Sequence, residues 1–187
     1  GTLAALGLSR PHMPYKGLIM AILISPMIVP LIITAAGMFF FYARINLVYT
    51  FTGVILAHVA LATPFVVITV TATLVGFDMN MVKAAQSLGA KPMRTFFKVI
   101  MPLILPGIIS GALFAFITSF DEVVIVMFMA SIDQLTIPKQ MWAGIRQEIS
   151  PVILCMATCL VLLSIFLLTT VELLRRRSEK LRGIKAR

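Results

Sequence analysis

Asp121 and Glu122 are the only acidic residues in an apolar stretch running from about Leu103 to Ala130. Carboxylates are costly in a bilayer and usually face a water-filled path or a partner. Two readings follow. Either carboxylate lines the outward end of a path for a cation, or the pair sits at a helix end, bonded to backbone or to Arg146. His58 lies inside another apolar stretch, where its ring can hydrogen-bond across helices. No second ligand stands at useful spacing from His58 or His12, so no metal site is expected. Cys155 and Cys159 are spaced i,i+4 in a further apolar run. Helical geometry does not favour a bridge between them, and they read as buried small apolar residues. The patterns G-x-x-x-x-G-K-[ST], G-x-S-x-G and H-E-x-x-H are absent from the sequence. These residues suit the passage of a charged solute, and neither a catalytic residue nor a cofactor is expected.

The elements that position them belong in a membrane. Hydrophobic residues make up 60% of the 187, charged residues 12%, and the mean hydropathy is +1.04. A water-soluble domain carries about 25% charged residues. The net charge of +9 does not indicate nucleic acid, because the cations cluster at the ends of apolar segments without aromatic interleaving. An all-α, polytopic transmembrane bundle is expected as a single domain over 1–187. Its spans run from about Gly17 to Tyr42, Val48 to Phe77, Leu103 to Ala130 and Val152 to Leu174. Gly1 to Leu8 reads as the tail of an earlier helix whose beginning lies ahead of this sequence.

Lys and Arg set the orientation. Arg10 and Lys16 precede the first span; Lys83, Lys91, Arg94 and Lys98 separate the second from the third. A basic tail over 175–187 follows the fourth. The positive-inside rule therefore puts the start, the 78–98 loop and the C-terminus in the cytoplasm, with the tail meeting anionic lipid head groups. Pro26, Pro30, Pro64 and Pro106 fall inside the spans and favour kinked helices packed around a pathway. The third stretch, if helical throughout, would be roughly 42 Å long against a core of about 30 Å. It must tilt, break or project outward.

Between the second and third spans stands "KAAQSLGAKP", residues 83–92. Met81 to Leu88 reads as a short helix with Met81, Ala84, Ala85 and Leu88 on one face. Asp78 or Asn80 suits its N-terminus, Gly89 a left-handed C-cap, and Pro92 blocks simple continuation. A second helix is expected from near Met93, with Pro102 and Pro106 bending its path into the membrane. The adjacent alanines offer a low surface that another protein can approach closely.

These residues resemble the permease subunits of type I, binding-protein-dependent ABC importers. That family carries a cytoplasmic loop of the pattern E-A-A, three residues, G, nine residues, I, one residue, L-P. Here Lys83-Ala84-Ala85, Gly89, Val99, Met101 and Pro102 stand at those spacings. The resemblance implies a coupling helix that docks on a separate ATP-hydrolysing subunit through Lys83, Ala84, Ala85, Leu88, Gly89, Ala90 and Pro92. Lys83 departs from the family's Glu, which implies a weakened contact with a cationic groove, a co-adapted acidic partner or a degraded transporter; the intact remainder of the pattern favours the co-adapted partner. "SFDEVVIVMFMA" and "TIPKQMWAGIRQEISP" resemble the subfamily that imports spermidine and putrescine. Family permeases have about six helices, so two are expected ahead of Gly1.

The resemblance implies further partners: ATP-binding ABC subunits, a second permease, homologous or identical, and a solute-binding protein. Trp142, the only tryptophan, reads as a membrane-interface anchor or as a contact for the solute-binding protein. In the second case Lys139, Arg146 and Glu148 are its charged neighbours, on a short surface helix bracketed by Pro138 and Pro151. An ion-coupled secondary transporter, with Asp121, Glu122 and His58 titrating, is the alternative from another class. A noncatalytic membrane scaffold is the third.

Overall fold

A computed structural model describes residues 1–10, 13–76, 78, 80–147 and 150–181. His12, Glu148 and the tail over 182–187 lie outside the described residues. The described chain is helical, in the order α1 (Thr2–Leu8), α2 (Lys16–Ile28), α3 (Leu31–Arg44), α4 (Phe51–Val75) and α5 (Asn80–Ser87). There follow α6 (Pro92–Thr95), a π-helical turn (Phe96–Ile100), α7 (Met101–Phe120), α8 (Val124–Met129), α9 (Ile137–Gln147) and α10 (Pro151–Leu181).

Among the described residues, Phe51–Val75, Pro92–Phe120 and Pro151–Thr170 are each long and apolar enough to cross a membrane. The stretch expected as a first span over 17–42 differs. It is two helices, α2 and α3, bent by 108°. Pro30 causes the break: it has no N–H to give and pushes the residue before it out of the helical region. Val29 is accordingly extended at φ −72°, ψ 136°, after its own N–H has closed α2 on the Ser25 carbonyl. The long third stretch breaks too, at Asp121 to Val123, with α8 continuing beyond the break.

Helix α4 is the axis of the bundle. Thr50 caps it by accepting the Gly53 N–H at 3.0 Å. Gly53, Ala57, Leu61, Pro64, Val67 and Val70 form its buried stripe. One end of that stripe packs Ala57 and Leu61 with Ala35 of α3 and with Ile125 and Met129 of α8. The other end packs Val70 with Ala5 of α1 and Ile104 of α7.

Between these clusters α7 runs antiparallel to α4 at close range. The sequence GIISG brings Gly107 against Thr73 and Thr69, and Gly111 against Thr69 and Val66. Lipid gives helices little hydrophobic reason to associate, so such backbone approach and interhelical bonding carry the pairing. Further along, Phe65 and Phe114 stack at 6.2 Å, and His58 Nδ1 lies 2.8 Å from Ser119 Oγ. The order Gly107, Gly111, Phe114, Ser119 on α7 thus meets Thr73, Thr69, Phe65, His58 on α4.

Helix α10 packs mainly against α7 and α9 and leaves Val152, Leu154, Leu162 and Phe166 exposed. Cys155 and Cys159, expected to be buried, are exposed on it. An apolar helix that borders lipid or a partner needs no internal burial, and its small apolar residues face outward with the rest.

Candidate functional site

The segment between α4 and α7 is built by local bonds. Asp78 Oδ1 accepts the Asn80 N–H at 2.9 Å, and its carbonyl accepts the Met81 N–H at 3.1 Å, which starts α5. At the other end the Gly89 N–H reaches the Gln86 carbonyl at 2.9 Å, and the Ala90 N–H reaches Ala85 at 3.0 Å. With Gly89 at φ +79° this is a Schellman C-cap, in which glycine carries no steric penalty. Lys91 is then extended and Pro92 opens α6, where a missing N–H costs nothing.

The segment therefore turns a capped corner from α5 into α6. Lys83, Ala84, Leu88, Gly89 and Pro92 are exposed on it, Leu88 at 88%. Ala85 and Ala90 are half-buried. Ala85 and Val82 lie on the side of α5 that packs against α6 and the π-turn, while Met81, Ala84 and Leu88 remain outward. Beyond α6 the π-turn widens the helix just before Pro102. The proline ring crowds the Lys98 carbonyl and offers it no N–H, so the i→i−4 ladder cannot run through unchanged.

At the opposite end of α4 and α7 the two carboxylates part company. Asp121 ends α7, its N–H bonded to the Ile117 carbonyl at 3.3 Å, and its side chain is exposed. It borders a cleft of about 460 Å³ with Phe120, Val123, Trp142, Ile145 and Ser164. Glu122 is only 5% exposed and accepts the N–H groups of Ile125 at 3.0 Å and Val126 at 3.2 Å. Its charge sits at the N-terminus of α8, where unpaired N–H groups favour an anion. Glu122 thus takes the helix-end role, and Asp121 alone presents an open carboxylate. Beside them, His58 and Ser119 line a second cleft of about 540 Å³ between α4, α7 and Thr136 to Pro138.

Helix α9 covers this end. The Arg146 guanidinium lies 5.6 Å from the centre of the Trp142 ring, and both side chains are exposed. Lys139 Nζ donates to the Ser131 carbonyl at 3.2 Å and to Ala130 at 3.5 Å, tying α9 to the end of α8. Trp142 and Arg146 form one pair, about which Asp121 shares a cleft with the tryptophan. The segment over 83–92 stands apart, at the other end of α4 and α7.

Sequence reasoning missed the α4–α7 seam and the π-turn. The signal for the seam was present as two small residues four apart inside an apolar run.

The model of the family described as "binding-protein-dependent transport system inner membrane component" matches residues 1–180. The chain is 30% identical over 179 residues to the spermidine/putrescine transport system permease protein PotC of Haemophilus influenzae, covering 96% of this chain and 70% of that protein. It is 29% identical over 180 residues to PotC of Escherichia coli K12, covering 96% and 68%. To the putrescine transport system permease protein PotI of Escherichia coli K12 it is 37% identical over 103 residues, covering 55% and 37%.

Proposed function

The chain belongs to the family of binding-protein-dependent transport system inner membrane components, and from that premise we propose that it is the permease subunit of an ATP-driven polyamine importer. The observation that carries the reading is the capped corner at residues 83–92. It joins α4 and α7, stands exposed, and is fixed by backbone bonds rather than by a flexible loop. A rigid corner transmits displacement that a loose connector would absorb. An ATP-binding subunit that grips Lys83, Ala84, Ala85, Leu88, Gly89, Ala90 and Pro92 moves both helices together. Asp121, and Glu122 by placing it, then act at the far end of the path. A second permease copy or homologue completes the path, and Trp142 with Arg146 meets the solute-binding protein. The C-terminus and the 78–98 segment face the cytoplasm, with the basic tail on anionic lipid.

The polyamine assignment is supported by the similarity to the PotC and PotI permeases of spermidine/putrescine and putrescine transport systems, and by one open carboxylate beside apolar and aromatic walls. A flexible diamine or triamine combines cationic ends with methylene links, which such a surface suits.

The test is reconstitution of the chain with its permease partner, ATP-binding subunits and solute-binding protein in liposomes, with uptake of labelled spermidine and putrescine. Uptake that needs ATP, survives a protonophore and falls on Asp121→Asn is expected. Gly89→Trp and Leu88→Glu are expected to lose the co-purifying ATP-binding subunit. Uptake without ATP that collapses with the protonophore replaces this reading with ion-coupled transport. Unchanged uptake in both Asp121→Asn and Glu122→Gln removes the pair from the path.

A further inference from the structure

We infer that the cleft of about 540 Å³ beside His58 and Ser119 is a binding station for an alkylammonium group of the solute, with His58 Nε2 as its acceptor. The inference rests on the polyamine reading and adds to the path a station built without a charged ligand. The bond between His58 Nδ1 and Ser119 Oγ uses one ring nitrogen. An imidazole has two, and the role of each follows from the bond that the other makes. Nε2 has no partner among the described residues. Nor is it among their sealed, unpaired polar atoms, which are Thr71 Oγ1 and Thr95 Oγ1. It is therefore open, on a side chain that lines the cleft. Joining α4 to α7 accounts for Nδ1 and leaves Nε2 over. When Nδ1–H donates to Ser119, Nε2 carries a lone pair, and a cation's N–H selects that tautomer.

The rest of the lining says which ligand fits. Ser119 and Thr136 add hydroxyl oxygens, and among the described residues that line the cleft none is Lys, Arg, Asp or Glu. The buried Glu122 carboxylate adds a negative field at His58, so an anion would be repelled with no fixed cation to hold it. Phe116 and Phe120 stack at 5.2 Å in the same lining, and aromatic faces attract a cation. Val54, Ile55 and Val59 supply apolar wall for methylene groups. Uncharged acceptors hold a cation loosely enough to release it, which a station on a path requires. The cleft also adjoins the one that Asp121 borders, since Phe120, Pro138 and Leu160 line both. An ammonium group that leaves Asp121 thus finds its next acceptors on the other side of Phe120.

The experiment uses the full chain with its permease partner and ATP-binding subunits in nanodiscs, with Cys155 and Cys159 replaced by serine. Val59→Cys puts a thiol in the cleft, and Ile132→Cys, 89% exposed and outside that lining, is the control. A charged, water-soluble thiosulfonate is applied at rest and with ATP and vanadate, in the presence of spermidine, putrescine or butanediol. Val59→Cys is expected to react in at least one state and to be protected by either polyamine but not by the uncharged diol. Ile132→Cys is expected to react equally throughout. The half-protecting concentration should rise about tenfold in His58→Leu, for one lost hydrogen bond to a charged group, and less in His58→Gln, which keeps an acceptor. Ser119→Ala breaks the same bond between helices but leaves Nε2, so its rise should also be smaller. An equal rise in Ser119→Ala and His58→Leu assigns the effect to helix packing and overturns the inference. No reaction of Val59→Cys in either state means that lipid or another helix fills the cleft, and overturns it too. Equal protection of Ile132→Cys, or protection unchanged in His58→Leu, does the same. In each of these cases ATP-driven uptake of spermidine by the wild type leaves the polyamine reading standing. A wild-type complex that takes up neither amine removes that reading, and this station with it.

Discussion

Gly111→Ala is the sharpest perturbation of the seam that holds α4 to α7. A Cβ at Gly111 would stand 2.9 Å from Val66 Cα and would overlap Thr69 Oγ1. Carbon atoms settle at about 3.5–4.0 Å, so the helices must part locally by roughly 0.6 Å or more. Side-chain adjustment cannot supply this, because the obstacle is backbone. Thr69 is restrained as well: its hydroxyl donates to the Phe65 carbonyl at 2.9 Å, which holds the rotamer. Overpacking of this kind costs about 1–3 kcal/mol, while alanine in place of glycine returns about 0.8–1.0 kcal/mol of helix propensity. Gly37 of α3 separates the two effects, since a Cβ there meets nothing within 4 Å. Gly37→Ala is expected to stabilise the chain by about 0.5–1 kcal/mol. Gly111→Ala is expected to destabilise it by about 0–2 kcal/mol net, and so to lie about 1–3 kcal/mol below Gly37→Ala. Reversible unfolding in mixed micelles with rising dodecyl sulfate measures both. At Gly107 the first obstacle is the Thr73 side chain, with the Thr69 carbonyl at 3.0 Å behind it. Thr73→Ala should therefore recover part of the loss in Gly107→Ala, and Thr69→Ala a part of that in Gly111→Ala, with the contact to Val66 Cα left in place. If Gly111→Ala matches Gly37→Ala within a few tenths of a kcal/mol, the close approach is not what joins these helices.

Three further outcomes are expected. Gly89→Ala should cost about 1–2 kcal/mol locally, from the left-handed backbone alone, because a Cβ at Gly89 meets nothing within 4 Å. Hydrogen exchange at the Ala90 amide should accelerate in Gly89→Ala, and less so in Gly89→Asn. A double-mutant cycle on His58→Ala and Ser119→Ala should give a coupling of roughly 0.6 kcal/mol, and zero coupling would dissolve that interhelical bond. Glu122→Ala leaves the N–H groups of Ile125 and Val126 unpaired and should cost about 1–3 kcal/mol in micelle unfolding. Glu122→Gln keeps an acceptor and should cost less; equal losses would mean that the charge, not the hydrogen bonding, holds α8.

The α5 corner was legible because each of its determinants lies within about six residues of its partner. Asp78 reaches Asn80, Gly89 reaches Gln86, and Pro92 acts on its own neighbours. Local chemistry of this sort survives without knowledge of the fold. The apolar helices were legible for a related reason, since a bilayer reads only length and hydropathy. The difficulties arose where two distant segments decide. His58 asked for a hydrogen-bond partner, but nothing in the sequence singles out Ser119, 61 residues away. The pair GIISG announces a close contact without naming the helix that accepts it. Pro30 shows a third kind of limit: a proline in an apolar run is compatible with a mild kink or with the 108° corner observed, and packing of α3 onto α4 and α8 decides between them. Asp121 and Glu122 carry the same lesson to the site. They are adjacent and chemically alike, and side-chain type gives no reason to treat them differently. The break after α7 does so, because it turns Glu122 onto the first N–H groups of α8 and leaves Asp121 at the end of the preceding helix. One carboxylate is consumed in making the break, and the break is what exposes the other. A variant that shortens Glu122 should therefore disturb Asp121 without touching it, which is why the two must be tested with separate readouts of stability and uptake.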